Sequence, residues 1–176
     1  MWDSVLVNKA IFFAGEKHKG QEMFNPVGMP YSAHYFGVAL NAIKFAAMTG
    51  ENIDWDLLLC SSILHDTLED TTATYEELES NFGKEIAQGV LALTKNPNLP
   101  YEEQMPDSLK RIRKQPKEIA IVKMADRMFN MRDRVPTWPK DKQEAYKKEA
   151  QMICDALGEL CGDEMTSSMQ EQLGNY

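Results

Sequence analysis

The chain has 176 residues, of which 43% are hydrophobic and 26% are charged, a composition typical of a folded globular domain rather than a disordered or fibrous chain. Its 19 basic and 27 acidic residues give a net charge of −8, which argues against a protein that binds nucleic acid through a broad basic surface. No apolar run is long enough to cross a bilayer, so we expect neither a nucleic-acid partner nor a membrane.

The cysteines and the amino terminus point to a reducing compartment. Cys60, Cys154 and Cys161 are an odd number without a Cys-x-x-Cys pair, which fits reduced thiols better than a disulfide framework. The first residues lack the basic segment, apolar stretch and cleavage site of a secretory signal. We therefore expect a cytoplasmic protein.

Apolar residues recur at helical spacing along most of the chain, and no segment shows the alternation of a β-strand. This pattern predicts an all-α bundle that forms one domain over residues 1–176. In chain order, the predicted helices cover Ser4–Lys17, Ser32–Thr49, Trp55–Leu68, Tyr75–Phe82, Lys84–Thr94, Tyr101–Lys114, Lys117–Asp133 and Asp141–Cys161.

Turn-forming and capping residues separate these helices. Glycines and prolines crowd residues 20–30, which we predict to be a loop. Thr74 and Glu77 have the spacing of a capping box. We predict a turn over Val135–Pro139, and a carboxyl-terminal tail over Thr166–Tyr176 that is polar enough to fray after at most a short last helix.

An unusual group of ionisable residues ends the third predicted helix. His65 and Asp66 follow a nearly uncharged run, and Glu69 and Asp70 come one turn later, where each would share a helix face with one of the first pair if the helix continued. Burying a carboxylate beside an imidazole costs several kcal/mol unless a partner compensates. A divalent metal ion is the strongest such partner.

Two further residues could complete a metal site. His34 lies near the start of the second predicted helix, and Asp126 ends an apolar helical run. Metal sites in helical bundles take their ligands from facing helices, and two imidazoles with two carboxylates suit manganese, iron, cobalt, nickel or zinc. Each residue also has a structural alternative: His34 as a core or capping histidine, and Asp126 as the salt-bridge partner of Lys123 or Arg127.

The order His34, His65-Asp66, Asp126 resembles the H…HD…D motif of the HD-domain metal-dependent phosphohydrolases. Residues 65–71, HDTLEDT, are similar to the HDTVEDT stretch of the RelA/SpoT-type alarmone hydrolases, and residues 123–132, KMADRMFNMR, to their KLADRLHNMR. Further similar segments are His18–Gln21, Pro30-Tyr31, Tyr75–Leu78, Phe82–Ala87 and Leu93–Lys95. The resemblance spans nearly the whole chain and implies an all-α HD-domain bundle of the small, stand-alone hydrolase type.

This resemblance implies hydrolysis of the 3′-pyrophosphate of guanosine tetra- or pentaphosphate, with Mn²⁺ as the metal. The expected metal ligands are His34, His65, Asp66 and Asp126. Glu69 and Asp70 match the family's acidic pair and would orient or deprotonate the attacking water and handle protons at the leaving oxygen. The candidate substrate-binding residues are Tyr31, Lys123, Arg127, Asn130 and Tyr146.

Two departures from the family pattern keep other functions open. The family commonly has an Arg-Lys pair where this chain has Glu22-Met23-Phe24, and a proline where it has Tyr35. Without the basic pair, the substrate could be another phosphorylated nucleotide, with Phe24 or Tyr31 stacked on its base. A non-catalytic module that senses a nucleotide is a third possibility, although both predicted catalytic acids are retained. The spacing of these residues along the chain identifies neither the divalent ion that binds nor the oligomeric state.

Overall fold

The described part of the chain is mostly helical. The computed structural model describes residues 1–24, 26–132 and 137–176. The helices in these ranges are α1 (Ser4–Lys17), α2 (Ser32–Met48), α3 (Trp55–Leu64), α4 (Thr67–Asp70), α5 (Tyr75–Phe82), α6 (Lys84–Leu93), α7 (Tyr101–Ile112), α8 (Lys117–Asn130), α9 (Lys140–Cys161) and α10 (Asp163–Asn175). Extended pairing within the described ranges amounts to an isolated bridge between Glu22 and Pro30, so the prediction of an all-α fold is confirmed.

Helices α2, α3 and α8 form the centre of the bundle. Helix α2 packs against α3 and α8, and α9 packs against α8. Residues Leu57–Leu64 of α3 are all buried, as the apolar run predicts, and α8 is buried from Glu118 to Met128. Burying one Leu or Ile side chain contributes about 1.5–3 kcal/mol, so these helices hold their polar side chains in a well-stabilised apolar setting.

The third helix ends at Leu64 rather than at the predicted Leu68. Thr67 Oγ1 donates a hydrogen bond of 2.7 Å to the Leu64 carbonyl. Such local side-chain bonds compete with the helical ladder for backbone groups. The backbone at Asp66 has φ −97° and ψ −3°, and α4 begins at the next residue. The predicted continuous helix is therefore two helices with His65 and Asp66 between them.

The carboxyl-terminal tail is helical, and the prediction that it frays is wrong. Helix α10 buries Met165, Met169 and Leu173, which recur every four residues. This apolar stripe packs the helix against α9, α8 and α2. Because tertiary packing supplies most of a helix's stability, three apolar residues suffice in an otherwise polar segment.

The connections between helices agree in part with the prediction. Thr74 and Glu77 form the predicted capping box at the start of α5. Asn25 of the predicted loop, Asp133 at the predicted end of α8, and Val135 and Pro136 of the predicted turn lie outside the described residues. No helix in the described part of the chain is both long and apolar enough to span a membrane.

Candidate metal centre and active site

Three separate parts of the bundle bring four ionisable side chains to one point. His34 lies in the first turn of α2, His65 and Asp66 lie between α3 and α4, and Asp126 lies near the end of α8. His34 Nε2 is 3.1 Å from His65 Nε2, 3.2 Å from Asp66 Oδ2 and 3.5 Å from Asp126 Oδ1. His65 Nε2 is 2.9 Å from Asp66 Oδ2 and 3.8 Å from Asp126 Oδ1. The structure thus brings the four predicted ligands together.

The spacing and chemistry of these atoms fit a divalent metal ion. Ligands about 2.1 Å from one ion lie about 3 Å apart at neighbouring octahedral positions. The ligand atoms of His34, His65 and Asp66 all lie within 4.8 Å of one another, and Asp126 approaches the group from the side of the two imidazoles. His65 Nδ1 donates to the Ser62 carbonyl at 2.8 Å, which leaves Nε2 to face the cluster, an arrangement typical of metal-binding histidines.

A positive charge is favoured between these groups. His65 and Asp126 are only 4% and 8% exposed. Burial by itself would lower the pKa of His65, but the negative charges of Asp66 and Asp126 and the hydrogen bond that the imidazole donates to Asp66 hold it well above its usual value. Burial would raise the pKa of Asp126, but the Lys123 ammonium and His65 hold it well below its usual range. A buried cluster that keeps its carboxylates ionised attracts cations.

Both carboxylate oxygens of Asp126 have partners on α8. Asn130 Nδ2 donates to Oδ1 at 2.6 Å, and Lys123 Nζ lies 3.3 Å from Oδ2. Asp126 therefore forms the salt bridge with Lys123 that the sequence offered as an alternative to metal binding, and it also lies beside the two imidazoles. Lys123 and Asn130, both predicted to bind substrate, orient this carboxylate in the structure.

The two predicted catalytic acids have different surroundings. Asp70 Oδ2 lies 3.5 Å from the Tyr31 hydroxyl, which donates a short hydrogen bond to Asp66. Burial and then the charges of Asp66 and Glu69 raise the pKa of Asp70 to about 6. Glu69 Oε2 instead accepts the backbone N–H of Lys95 at 2.9 Å. Asp70 thus lies beside the cluster, whereas Glu69 bonds the chain that follows α6.

One cavity of about 470 Å³ is lined by every residue that the sequence predicted for the site, a size typical of small-molecule pockets. The predicted residues are Tyr31, His34, His65, Asp66, Glu69, Asp70, Lys123, Asp126, Arg127, Asn130 and Tyr146. Lining residues that the sequence did not assign to the site include Lys95, Arg132, Trp138, Lys142 and Glu149.

Comparison with known protein families decides what kind of domain carries this cavity. The family model described as HD domain matches residues 10–160, which include all four candidate metal ligands. The chain belongs to the HD-domain family. Since HD domains bind a divalent metal, the His/Asp cluster of this HD domain is its candidate metal site.

Curated relatives of this HD domain include the enzyme MESH1 from two vertebrates. It is 36% identical over 125 residues to guanosine-3′,5′-bis(diphosphate) 3′-pyrophosphohydrolase MESH1 of Danio rerio, which covers 71% of this chain and 67% of the relative. It is 32% identical over 153 residues to MESH1 of Mus musculus, covering 85% and 83%. The GTP pyrophosphokinase rsh of Brucella melitensis is 31% identical over an alignment of 177 positions, which covers 97% of this chain but 22% of that protein. The prediction of a RelA/SpoT-type HD domain is confirmed.

Solved structures show the same fold. One, described as a metazoan ortholog of SpoT that hydrolyses ppGpp and plays a role in starvation responses, matches with a TM-score of 0.83 at 22% identity, over 99% of this chain and 97% of that chain. The structure of lmo0812 from Listeria monocytogenes EGD-e matches with a TM-score of 0.63 at 21% identity, over 84% and 98%. The prediction of an HD-domain helical bundle is confirmed.

The cavity of this HD domain contains a buried guanidinium. Arg127 is 4% exposed, donates through Nη2 to the Glu149 carboxylate, and lies with Cζ 4.1 Å from the centre of the Tyr146 ring. Its Nε and Nη1 atoms are buried without a hydrogen-bond partner among the described residues. Leaving buried donors unpaired costs free energy, and Arg127 lines the cavity, so its guanidinium is a candidate anion-binding group.

Sequence reasoning missed a cation beside an aromatic pair that lines the same cavity. The rings of Phe24 and Trp138 are 5.5 Å apart between centroids, and Lys142 Nζ lies 4.2 Å from the centre of the Trp138 ring. Lys142 precedes Tyr146 by one turn of α9, a spacing that could have identified it. Nothing local in the sequence indicates that Trp138 approaches Phe24.

Proposed function

We propose that this chain is a metal-dependent hydrolase that removes the 3′-pyrophosphate of guanosine tetra- or pentaphosphate, giving GDP or GTP and pyrophosphate. The observation that carries the proposal is the convergence of His34, His65, Asp66 and Asp126 on the wall of a cavity that also contains Asp70. The activity for which the MESH1 relatives are named supports the same reaction.

The proposed metal is Mn²⁺, held by His34, His65, Asp66 and Asp126. A mixed set of imidazole nitrogens and carboxylate oxygens suits this ion, and the carboxylates favour it over softer metals. When bound, such an ion supplies a water molecule of lowered pKa and offsets negative charge on the phosphate. The protein's part is to hold the ligands, exclude bulk water and move protons.

Asp70 is the proposed proton acceptor. Its carboxylate lies beside the metal ligands, and with a pKa of about 6 it is mostly ionised at neutral pH, yet basic enough to accept a proton from the attacking water. The same group can return the proton to the 3′-oxygen as the bond to phosphorus breaks. We propose that Glu69 assists by orienting the water from the neighbouring position.

Cations and polar groups that line the cavity would hold the substrate phosphates and ribose. Arg127, Lys123 and Lys142 supply the positive charge. We propose that Asn130 and Tyr146 contact the ribose or a phosphate. These groups compensate in part for the basic pair that the chain lacks at Glu22-Met23.

The aromatic pair favours a stacked nucleobase and leaves a second substrate open. Phe24 is 62% exposed and its ring faces Trp138, so the two rings offer a surface on which a base can stack. Stacking alone discriminates weakly among bases. The second candidate function is therefore hydrolysis of another phosphorylated nucleotide, favoured by the residues Glu22-Met23-Phe24 at the place of the basic pair.

We further propose that the partner is a small nucleotide and that the enzyme is cytoplasmic. The net charge of −8 disfavours a nucleic-acid partner, while a nucleotide needs only the few cations placed in the cavity. The three cysteines are free and buried, as suits a reducing compartment.

Pyrophosphate release from guanosine tetraphosphate by the purified protein with Mn²⁺ tests the proposal. We expect turnover by the wild type, loss of both metal and turnover in Asp66→Ala, and retained metal with most turnover lost in Asp70→Asn and Glu69→Ala. Glu103→Gln, on the exposed side of α7, is the matched control and should keep full activity.

The outcome of a nucleotide panel separates the alternatives. Turnover of a different nucleotide, but not of guanosine tetraphosphate, would favour the second candidate. Tight nucleotide binding with the substrate recovered intact would refute hydrolysis and indicate a sensing module.

A further inference from the structure

The hydroxyl of Tyr31 joins a candidate metal ligand to the candidate proton acceptor. It donates a short hydrogen bond to Asp66 Oδ2 and lies 3.5 Å from Asp70 Oδ2. A phenol has one proton to donate, so the nearer carboxylate, Asp66, receives it. Asp66 Oδ2 is also the oxygen that faces His34 and His65, so the bond fixes the atom that would bind the metal.

Two aromatic contacts hold the Tyr31 ring. The His18 imidazole stacks on it at a centroid distance of 4.3 Å and an interplanar angle of 19°, and the His34 ring lies 5.2 Å away at 54°. His18 is itself 4% exposed, so the stack is part of the folded interior. Rotation of the phenol away from Asp66 would require this stack to open.

Gln21 ties the same group to the helix that carries Asp70. Its Nε2 donates to the Asp70 backbone carbonyl at 2.8 Å, which leaves Oε1 to accept from His18 Nδ1, also at 2.8 Å. The Tyr31 backbone N–H in turn donates to the Gln21 carbonyl at 3.1 Å. Ring stacking, side-chain bonds and backbone bonds therefore link the segment after α1 to the Asp66 carboxylate and to the backbone of Asp70.

We propose that Tyr31, braced by His18 and Gln21, is a positioning residue that holds Asp66 in its metal-binding orientation and keeps Asp70 beside it. The inference rests on the proposed function, because it assumes that Asp66 is a metal ligand. It assigns the Tyr31 hydroxyl to the metal centre rather than to the substrate. Groups that orient metal ligands in this way typically change metal affinity or activity by about 10–100-fold when removed.

Titration of chelator-treated protein with Mn²⁺ by isothermal calorimetry tests the inference. We expect Tyr31→Phe to keep the ring stack and the fold but to bind Mn²⁺ about 10–100-fold more weakly, with a lower kcat and a nearly unchanged KM. Tyr75→Phe is the matched control. Its hydroxyl also contacts a carboxylate, Glu79 Oε1 at 3.3 Å, but away from the cavity, so its Mn²⁺ affinity should equal that of the wild type.

A second variant tests whether His18 and Gln21 hold Tyr31 in place. Gln21→Met keeps the length of the side chain but removes both side-chain bonds, and we expect a loss of Mn²⁺ affinity in the same direction as for Tyr31→Phe, though smaller. Affinity equal to the wild type in this variant would remove His18 and Gln21 from the proposal.

Two results would overturn the inference. One is a folded Tyr31→Phe protein with wild-type Mn²⁺ affinity, and the other is an equal loss in Tyr75→Phe. If the first is accompanied by a raised KM, Tyr31 contacts the substrate instead. Failure of the wild type to bind Mn²⁺ or to hydrolyse any nucleotide would refute the proposed function itself, which is a distinguishable result.

Discussion

Replacing Gly37 by alanine should disturb the metal centre through Phe129. Gly37 lies on α2, and a Cβ atom there would lie 1.9 Å from Phe129 Cε2 and 2.5 Å from Cδ2 and Cζ. Ordinary carbon contacts are about 3.5–4.0 Å, so the ring must move by roughly 2 Å. The same ring packs edge-on against the His34 imidazole at a centroid distance of 5.4 Å, so its displacement reaches a candidate ligand.

The expected loss of stability follows from two opposing effects. Forcing extra atoms into a packed interface costs about 1–3 kcal/mol. Replacing glycine by alanine inside a helix otherwise stabilises the folded state by about 0.5–1 kcal/mol. We therefore expect Gly37→Ala to lower the free energy of unfolding by up to about 2.5 kcal/mol, and to weaken Mn²⁺ binding as well.

Urea unfolding followed by circular dichroism, together with Mn²⁺ calorimetry, measures both effects. Gly174→Ala on α10 is the matched control, because a Cβ atom there meets nothing within 4 Å. That variant should be as stable as the wild type or more stable by up to about 1 kcal/mol. Adding Phe129→Leu to Gly37→Ala should recover part of the lost stability, since the two residues are in contact. If Gly37→Ala matches the control in both assays, the packing argument is wrong.

Three other predictions concern the core, the tail and the cavity. Burial raises the pKa of the Cys60 and Cys161 thiols to about 12, so at pH 8 a thiol reagent should label native protein far more slowly than urea-unfolded protein; equal rates would contradict this. Met169→Ala should lower the free energy of unfolding by about 2–5 kcal/mol, and an unchanged urea midpoint would show that α10 is not packed. Arg127→Lys should raise the nucleotide KM about 10–150-fold, because one charge-assisted hydrogen bond contributes about 1.5–3 kcal/mol; steady-state kinetics with an unchanged KM would exclude this arginine from phosphate binding.

The candidate metal ligands could be predicted because the sequence shows charged groups in segments that are otherwise buried, where an uncompensated charge would cost free energy. His65, Asp66 and Asp126 interrupt apolar helical runs, where an unpaired charge is not tolerated. His34 stands out in the same way in the second predicted helix, and the family resemblance then assigns catalytic roles to the acids after Asp66. The structure places all of these residues on one cavity. The helices were predictable for the same reason, since a regular apolar stripe marks the buried face of each.

Features that depend on tertiary contacts could not be predicted. The end of α3 at Leu64 depends on which backbone carbonyl the Thr67 hydroxyl bonds, and helical periodicity does not register such a bond. The approach of Trp138 to Phe24 depends on how α9 packs, and the bond from Tyr31 to Asp66 depends on where the loop before α2 crosses α4. The order of residues along the chain contains no local sign of these contacts.

The interruption between α3 and α4 allows two consecutive residues to serve one centre. On an unbroken helix, neighbouring side chains project about 100° apart around the axis, so His65 and Asp66 would diverge. With the backbone turned at Asp66, His65 Nε2 and Asp66 Oδ2 come within 2.9 Å of each other. Two of the four candidate ligands therefore come from adjacent residues, and the rest of the fold has to place only two more beside them, His34 from α2 and Asp126 from α8.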